Sequence, residues 1–464
     1  MIRLAKVLVT MGPSTSDYAV VRRMLAAGAN GFRINMSHGD EAQWSSFVDM
    51  VRKASEELGL DVALIADLEG PRVRLGSFDG LDVKPGDVVK FKYKDAGGEG
   101  VPVDSRAFFD TIERGDRVLV DDGRVVLTAE DVERDQATLR VVSGSRLEAR
   151  KGVVVAGKEY DLPPLTDKDL KDIGFIASKD FDYVMASFVR SARHIDVIKR
   201  ALREAGAKDA KILAKIETPS GVVNIDEIAE SADGIIVARG DLGMHFPLED
   251  IPVIQRRIIE ASRKRLKPAI LATEIFMSMI ERPLPTRGEI SDVYAGVEEG
   301  VDGFLVTSET SIGKYPVEVV SWLNRVIEEA NKNVRPRRVE PITAGLDARI
   351  SRGVVELAQS VGASIVAYAA DYDAARLLAA FRPPSPVYVG VSDRRLARLL
   401  SVLWGMSTVT VKDGLDEVKG LEETERELRA RGLLGPGSLV VELSWSLDRA
   451  TAIVKLDRCS NPGP

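Results

Sequence analysis

The feature that most constrains the fold is a repeated alternation between short apolar runs and stretches with helical spacing. Eight runs rich in Val, Ile and Leu are each followed by an amphipathic segment, such as YAVVRRMLAAG or IPVIQRRIIEASRKRL. The runs cover residues 6–12, 31–39, 62–70, 182–189, 211–218, 234–243, 268–274 and 303–309. Eight strand-helix units over about 250 residues, with one interruption removed, predict a (β/α)₈ TIM barrel. A doubly wound sheet is the alternative.

The interruption predicts a second domain, and the end of the chain predicts a third. Residues 72–157 contain short strands of alternating polarity, with Asp122-Gly123 as a hairpin turn, which indicates an inserted all-β domain. Beyond about residue 337 a new alternation of helices and strands indicates a C-terminal α/β domain. We therefore expect a barrel of residues 1–71 and 158–336, an insertion of 72–157 and a final domain of 337–464.

Composition excludes several classes of function. A net charge of -7 and a pI near 5.4 argue against nucleic acid as a partner, because such binding needs a basic surface. No apolar run approaches the roughly 20 residues of a membrane span, and the first run is too short for a signal peptide, which predicts a cytoplasmic protein without a membrane partner. The single cysteine, Cys459, excludes a disulfide framework. The three histidines lack metal-ligand spacing, so any metal must be held by oxygen.

Polar residues lie at the ends of most predicted barrel strands. In TIM barrels the C-terminal ends of the strands carry the active site. A single polar residue there could be a helix cap or an ion-pair partner, but a repeated pattern predicts a catalytic face. The residues are Arg33, Asn35, Ser37 and His38 after strand two, Asp67 after strand three, Lys215 and Glu217 at strand five, Asp241 after strand six, Thr273 and Glu274 after strand seven, and Thr307 and Glu309 after strand eight.

These residue types fit metal-assisted chemistry on a small anion. Glu217 and Asp241 offer hard oxygen ligands from neighbouring strands, which suit Mg²⁺ or Mn²⁺. Lys215 lies two residues from Glu217 and therefore projects from the same strand face, where it could stabilise developing negative charge. Arg33 adds a planar cation suited to phosphate. A plain salt bridge between Lys215 and Glu217 is the structural alternative, and we expect it to leave Asp241 and Arg33 unexplained.

Six segments together resemble the successive signatures of pyruvate kinase, in the same order and around the same insertion. They are KVLVTMGPST, GFRINMSHG, AKIETPSG, GIIVARGDLG, MIERPLPTRGEISDV and SETSIGKYP. The resemblance spans nearly the whole chain and is weakest in the last 125 residues or so. It implies a barrel with the insertion as a lid and a C-terminal regulatory domain. It also implies phosphoryl transfer between phosphoenolpyruvate and ADP, giving pyruvate and ATP, by a homotetramer with Mg²⁺ or Mn²⁺ as cofactor.

The resemblance also implies a role for individual residues. Lys215, Arg33 and Thr273 would be catalytic, and Glu217 and Asp241 would bind the divalent metal. Gly240 and Asp241 would present backbone amides to the substrate carboxylate. The remaining assignments are Asn35, Ser37, Asp67 and Leu68 for a monovalent cation, and Arg74, His38 and Lys168 for the nucleotide.

One segment, ADLEGPRVRLG at residues 66–76, departs from the commoner family pattern. Potassium-dependent pyruvate kinases resemble this chain less here, because they carry glutamate and threonine where this chain has Arg72 and Leu68. Glu69 replaces the usual lysine. Arginine is permanently cationic, so Arg72 could act as an internal cation and K⁺ would not be required. The alternatives are that Arg72 is a hinge residue facing solvent and that the monovalent site is vestigial.

Two other classes of function stay open at this point. One is a different barrel enzyme that acts on an enolate with the same metal, of the aldolase or carboxylyase type. That class predicts neither the inserted β domain nor the KVLVTMGPST segment. The other is a catalytically inactive metabolite sensor, which would be expected to lack Lys215, Glu217 or Asp241.

Overall fold

The chain begins with three strands that alternate with helices. The computed structural model describes residues 4–369, 371–445 and 452–458, with side chains described up to Ser444. Cys459 lies outside the described residues. The elements are β1 (Lys6–Thr10), α1 (Tyr18–Ala26), β2 (Gly31–Asn35), α2 (Glu41–Leu58) and β3 (Ala63–Asp67), with a 3₁₀ turn at Pro13–Thr15. Asp17 and Asp40 cap the two helices by accepting hydrogen bonds from backbone N–H groups of the first turn, which fixes where each helix begins.

The insertion after β3 is an all-β domain with its own core. Its elements are β4 (Leu81–Asp82), β5 (Val88–Tyr93), β6 (Val101–Val103), α3 (Ala107–Thr111), β7 (Arg117–Val120), β8 (Val125–Val132), β9 (Gln136–Ser143), β10 (Arg146–Leu147) and β11 (Val153–Val155). Six strands form one sheet in the order β11-β7-β8-β9-β5-β6. The predicted hairpin is confirmed, because β7 and β8 pair antiparallel around Asp122 and Gly123. Alternate residues of these strands face a core that is separate from the barrel core.

Five strands and nine helices lie between the insertion and residue 333. They are α4 (Asp167–Ser178), β12 (Tyr183–Ala186), α5 (Ala192–Glu204), β13 (Lys211–Ile216), α6 (Pro219–Val223), α7 (Ile225–Ser231), β14 (Gly234–Ala238), α8 (Arg239–His245), α9 (Ile251–Lys264), β15 (Ala269–Ala272), α10 (Arg287–Glu299), β16 (Gly303–Leu305), α11 (Ser308–Ser311) and α12 (Pro316–Asn333). Short 3₁₀ turns lie at Leu248–Asp250 and Met277–Ile280.

Eight parallel strands close into a barrel. Their order is β1-β16-β15-β14-β13-β12-β3-β2, and β1 pairs with both β2 and β16, so the sheet has no free edge. This confirms the TIM barrel and excludes a doubly wound sheet for this part of the chain. Every residue of β1, β3, β12, β14 and β15 is buried, as expected for strands covered on both faces. One boundary differs from the prediction, because strand six ends at Ala238 and the ARGDLG segment begins a helix.

The remaining elements form an α/β domain packed against the barrel. They are α13 (Leu346–Val361), β17 (Ser364–Tyr368), α14 (Tyr372–Ala380), β18 (Val387–Val391), α15 (Arg394–Leu400), β19 (Met406–Thr410), α16 (Glu417–Ala430), β20 (Leu439–Trp445) and β21 (Ala452–Arg458). The sheet order is β19-β18-β17-β20-β21, with only the final pair antiparallel. A segment without helix or strand, residues 334–345, connects α12 to α13.

The barrel and the C-terminal domain share a continuous apolar core. Residues of the barrel strands and of β17, β18 and α15 belong to the same buried cluster. Buried polar contacts cross the same boundary. Arg382 pairs with Asp302, and the backbone N–H of Trp404 donates to Asp302 Oδ1 over 3.1 Å. In the described part of the chain, no helix combines the length and the apolar character that spanning a membrane requires.

Candidate active site

A cavity of about 530 Å³ opens at the C-terminal ends of the barrel strands, beside the inserted β domain. Four cationic side chains and four carboxylates line it, so the cavity is close to neutral in this state. Twelve of the fourteen predicted site residues line it: Arg33, Asn35, Ser37, His38, Asp67, Leu68, Arg72, Arg74, Lys215, Glu217, Asp241 and Thr273. Gly240 and Lys168 do not line the cavity but contact residues that do.

Lys215 is surrounded by oxygen atoms from three strands. Its Nζ lies 2.9 Å from Glu217 Oε1 and 3.6 Å from Asp67 Oδ1, and it donates to Ser187 Oγ over 3.0 Å. Burial works to lower the pKa of Lys215, but the carboxylates of Asp67, Glu217 and Asp241 outweigh it and raise the pKa. The ammonium is therefore charged at neutral pH and held at a fixed place in the cavity.

Glu217 is a buried carboxylate with few protein partners. Its residue is 1% exposed, and burial raises the pKa of the side chain, with Asp241 adding to the effect and Lys215 opposing it. The second oxygen, Oε2, accepts the Phe188 N–H over 2.6 Å. Phe188 adopts φ 54°, an unusual value for a bulky residue that costs about 1–3 kcal/mol. This strained backbone turns the amide toward Glu217.

The turn directly after β12 therefore supplies two site residues that the sequence analysis missed, Ser187 and Phe188. Ser187 accepts from Lys215, donates to the Leu68 carbonyl over 2.7 Å and lies 3.5 Å from Asp67 Oδ1. The available signal was a polar residue directly after the apolar run YVMA, which is the same signal that marked the other strands. The role of Phe188 has no sequence signal, because it depends on a backbone conformation.

Arg33 and Asp67 form a second ion pair beside Lys215. Arg33 Nε donates to Asp67 Oδ2 over 2.7 Å, and its Nη2 lies 2.5 Å from the same oxygen. The Arg33 Nη1 group also donates to Thr10 Oγ1 over 3.1 Å. Asp67 thus orients Arg33 and Lys215 together, with a side chain that is almost completely buried.

The expectation that a salt bridge would leave Asp241 and Arg33 unexplained is wrong. Arg33 pairs with Asp67, and Asp241 Oδ1 lies 3.6 Å from Arg72 Nη2. Arg72 also reaches into the inserted β domain, where its Nη2 donates to Asp122 Oδ1 over 3.1 Å, and its guanidinium lies 5.9 Å from the Phe188 ring centre. Every charged side chain of the cavity therefore has an ion-pair partner, and these pairs differ from ordinary surface salt bridges in being largely buried and in converging on one cavity.

Thr273 lies in a strained turn after β15. Thr273 and Glu274 have φ values of 66° and 53°, and Arg239 holds both carbonyls by donating to them over 2.9 and 2.8 Å. Arg239 is itself fixed by Asp292 at 2.6 Å. The Gly240 N–H donates to Thr273 Oγ1 over 2.8 Å, so in this state the amide is engaged by Thr273.

The oxygens assigned to a monovalent cation lie along one wall of the cavity. Asn35 Oδ1 accepts the Ser37 N–H over 3.1 Å, and Leu68 could contribute only its main-chain carbonyl, which accepts from Ser187. Asp67 is already paired with Arg33 and Lys215. The Asn35, Leu68 and Asp67 oxygens therefore have partners within the protein.

The residues assigned to the nucleotide lie at the end of the cavity near β2 and β3. Arg74 Nη2 donates to Glu69 Oε1 over 2.6 Å, and Lys168 pairs with Asp172 at 2.7 Å and lies 4.0 Å from Glu69. Burial and the nearby Arg74 lower the pKa of His38, so its imidazole is neutral at physiological pH.

Glu217 and Asp241 fit a divalent metal of the Mg²⁺ class. Mg²⁺ typically binds one or two carboxylates and keeps further positions for water and substrate oxygens. No group of three or more His, Cys, Asp or Glu side chains suited to a metal occurs among the described residues, so the protein offers an open site rather than a closed cage. A divalent ion would also give the cavity a net positive charge, which favours an anionic substrate.

Comparisons with known proteins agree with the geometry. Residues 2–320 match the pyruvate kinase barrel domain, and residues 348–446 match the pyruvate kinase alpha/beta domain. The pyruvate kinase of Aeropyrum pernix is 42% identical over 97% of this chain and 98% of its own length. That of Pyrobaculum aerophilum is 34% identical over 93% of this chain and 95% of its own. A crystal structure of pyruvate kinase from Pyrobaculum aerophilum superposes with a TM-score of 0.89 and 33% identity, covering 98% of this chain and 99% of the other.

Proposed function

Because the chain belongs to the pyruvate kinase family, we propose that its barrel cavity uses Lys215, Arg33 and Thr273 to move a phosphoryl group between phosphoenolpyruvate and ADP. The protein is a phosphotransferase with a divalent-metal requirement and with phosphoenolpyruvate and ADP as substrates. The observation that carries the residue assignment is the position of Lys215, whose buried ammonium contacts Glu217, Asp67 and Ser187 at the centre of the cavity.

Glu217 and Asp241 are the proposed ligands of the divalent cation, either Mg²⁺ or Mn²⁺. When bound, the ion would neutralise phosphate charge and orient the substrate oxygens. Glu217 has one short contact to Lys215 and one to the Phe188 amide, and Asp241 has only the longer contact to Arg72 among the described ion pairs. Both carboxylates therefore keep acceptor capacity for a metal.

Lys215 stabilises the enolate oxygen that is left when the phosphoryl group departs from phosphoenolpyruvate. Its raised pKa keeps the ammonium charged throughout, so it acts by electrostatics rather than by giving up a proton. Arg33 binds the phosphoryl oxygens with the guanidinium edge that Asp67 leaves free. The phosphoryl group passes to the terminal phosphate oxygen of ADP, and the enolate carbon takes a proton along a path beside Thr273.

The nucleotide is proposed to lie between the barrel and the inserted β domain. Arg74, His38 and, more distantly, Lys168 line or border this end of the cavity. Arg72 links the two domains through Asp241 and Asp122, and closing the insertion over the cavity as a lid would exclude water.

K⁺ is proposed to be dispensable, because Arg72 supplies a permanent cation to the same cavity. Its nearest carboxylates are Asp241 at 3.6 Å and Asp122 at 3.1 Å. Asp67 receives its compensation from Arg33 and Lys215 instead. The oxygens of Asn35 and Ser37 are then a vestigial monovalent site.

The division into domains at residues 71/72, 157/158 and 336/337 is also proposed. The separate core of the insertion, which runs from Val73 to Val155, supports the first two boundaries, and the irregular segment 334–345 supports the third. A homotetramer and a cytoplasmic location are further predictions that rest on family membership and composition.

The decisive experiment is a coupled assay of pyruvate release with phosphoenolpyruvate, ADP and Mg²⁺. We expect one ATP for each pyruvate, no release without ADP, and loss of turnover on chelation of the metal. Pyruvate release without ADP would mean that water takes the phosphoryl group, which would contradict the proposal. Metal-dependent release of pyruvate from a longer 2-oxo acid, with no reaction of phosphoenolpyruvate, would indicate an enolate enzyme of the aldolase or carboxylyase type. Ligand binding without turnover would indicate an inactive sensor.

A further inference from the structure

A second cavity, of about 250 Å³, lies at the boundary between the barrel and the C-terminal domain. We call it the seam cavity and define it by its six arginines: Arg263 of α9, Arg335, Arg337 and Arg338 of the connecting segment, Arg352 of α13, and Arg382 after α14. It shares no lining residue with the catalytic cavity. Such a concentration of one charge on one cavity is unusual in a chain whose net charge is -7.

Only part of this positive charge is compensated by carboxylates. Glu340 and Glu356 also line the cavity, and each pairs with both Arg338 and Arg352 at 2.7 to 3.4 Å. Arg382 pairs with Asp302, which makes that pair an internal link between the two domains.

The other three arginines have no carboxylate partner in the part of the chain that the structure describes. Arg335 Nη1 donates only to backbone carbonyls, of Asn331 at 3.3 Å and Val334 at 3.5 Å. The Arg337 side chain is exposed and has no ion pair among the described residues. The cavity therefore keeps about three uncompensated positive charges, if each arginine carries one.

Of the three, Arg263 gives the strongest indication of a missing counter-charge, because it is only 6% exposed. Its Nη1 donates to the Glu299 carbonyl over 2.8 Å, while its Nε is buried without a hydrogen-bond partner. Burial and the neighbouring charge of Arg382 lower the pKa of Arg263 to about 9, because they outweigh the opposing effect of the Asp302 and Glu260 carboxylates, neither of which forms an ion pair with it among the described residues. A buried cation without a counter-charge is costly, and proteins usually pair it.

We propose that the seam cavity is a binding site for a small phosphate-bearing anion, with Arg263, Arg335 and Arg337 as its ligands. Guanidinium groups bind phosphate oxygens through paired N–H donors, which supplies the missing counter-charge. The cavity is smaller than the roughly 300–1,000 Å³ of drug-sized ligand pockets. A phosphorylated metabolite of a few carbons fits this size better than a nucleotide.

Binding there would connect two separate parts of the chain. Arg263 belongs to the barrel, and Arg335 and Arg337 belong to the segment that leads to the C-terminal domain. An anion that contacts both parts stabilises the packing of this segment on the barrel and offers a route by which a metabolite could act on the barrel. The proposal does not depend on the catalytic assignments.

Equilibrium dialysis with radiolabelled inorganic phosphate tests the site in the full-length protein. No substrate is added, because phosphoenolpyruvate carries a phosphate group of its own and would compete for the seam cavity, and chloride fixes the ionic strength. We expect wild type to bind one phosphate per chain at the seam cavity. The double variant R335Q/R337Q should bind this phosphate at least about tenfold more weakly, because two charge-assisted contacts are lost.

Two further variants separate a specific site from a general charge effect. Arg349 lies on α13, is exposed and does not line the cavity, so R349Q should bind phosphate within about twofold of wild type. R263Q should weaken binding as strongly as the double variant, with its fold checked by circular dichroism. Turnover of R335Q/R337Q without phosphate should match wild type. Substoichiometric binding to wild type, or equal binding by R335Q/R337Q and R349Q, would overturn the proposal.

Discussion

Replacing Lys215 with methionine removes the charge at the centre of the catalytic cavity while keeping most of the side-chain volume. Lys215 Nζ has three oxygen neighbours within 3.6 Å, and its side chain is only 16% exposed. Water therefore cannot replace the ammonium freely. Glu217, directly after β13, and Asp241, on α8, keep their positions, so the variant separates transition-state stabilisation from metal binding.

The expected loss of turnover is a factor of about 10² to 10³. A single preorganised donor to a developing negative charge contributes about 2.7–4 kcal/mol to transition-state stabilisation. The loss should not be larger, because Arg33 remains as a second cation on Asp67. Since the interaction strengthens as the enolate forms, kcat and kcat/KM for phosphoenolpyruvate should fall together.

The assay is coupled pyruvate release, combined with a titration of Mn²⁺ by calorimetry. Lys215→Met should bind Mn²⁺ at least as tightly as wild type, because a competing cation next to Glu217 is gone. Glu217→Ala should instead lose metal affinity. Lys211→Met is the matched control: Lys211 begins the same strand but lies 4.9 Å from the Tyr372 ring, outside the cavity.

The assignment of Lys215 would be refuted if Lys215→Met kept more than a tenth of wild-type turnover. Lys215 would then be a structural ion-pair partner of Glu217 and Asp67. Equal losses in Lys215→Met and Lys211→Met would point to damage of the strand rather than of the chemistry.

Three other perturbations test separate parts of the molecule. Adding K⁺ to the wild-type enzyme with Mg²⁺ in tetramethylammonium buffer should change its turnover less than tenfold, which corresponds to about 1.4 kcal/mol of transition-state stabilisation. Arg72→Glu should create a K⁺ dependence. A strict K⁺ requirement in the wild-type enzyme would contradict the internal-cation hypothesis. Fructose 1,6-bisphosphate should not activate the enzyme through the start of α14, because the carboxylates of Asp371 and Asp373 there would repel a sugar phosphate. A left-shifted phosphoenolpyruvate saturation curve would refute this. Asp302→Ala should lower the free energy of unfolding, measured by denaturant titration, by about 3–5 kcal/mol, because it leaves the buried Arg382 without a carboxylate partner. A loss below about 1 kcal/mol would show that the pair is dispensable.

The sequence by itself determined the barrel, the insertion and most of the catalytic cavity. Strand and helix periods are local properties, so the eight apolar runs and the Asp122-Gly123 turn could be recognised without knowing any contact. Parallel strands of a barrel also end at a common face, and this rule alone places Lys215, Glu217, Asp241 and Arg33 together.

Tertiary structure decided which charges pair and where the backbone is strained. The partners of Arg72 come from the inserted domain and from α8, and nothing in the local sequence indicates either. The left-handed turn at Phe188 donates an amide to Glu217, which lies 29 positions further along the chain. The seam cavity is likewise lined by both Arg263 and Arg352, which lie 89 positions apart in the sequence. Ion pairs and cavities form between residues that are distant along the chain. The periodic pattern of apolar residues predicts helices and strands, but it does not indicate which distant residues come into contact.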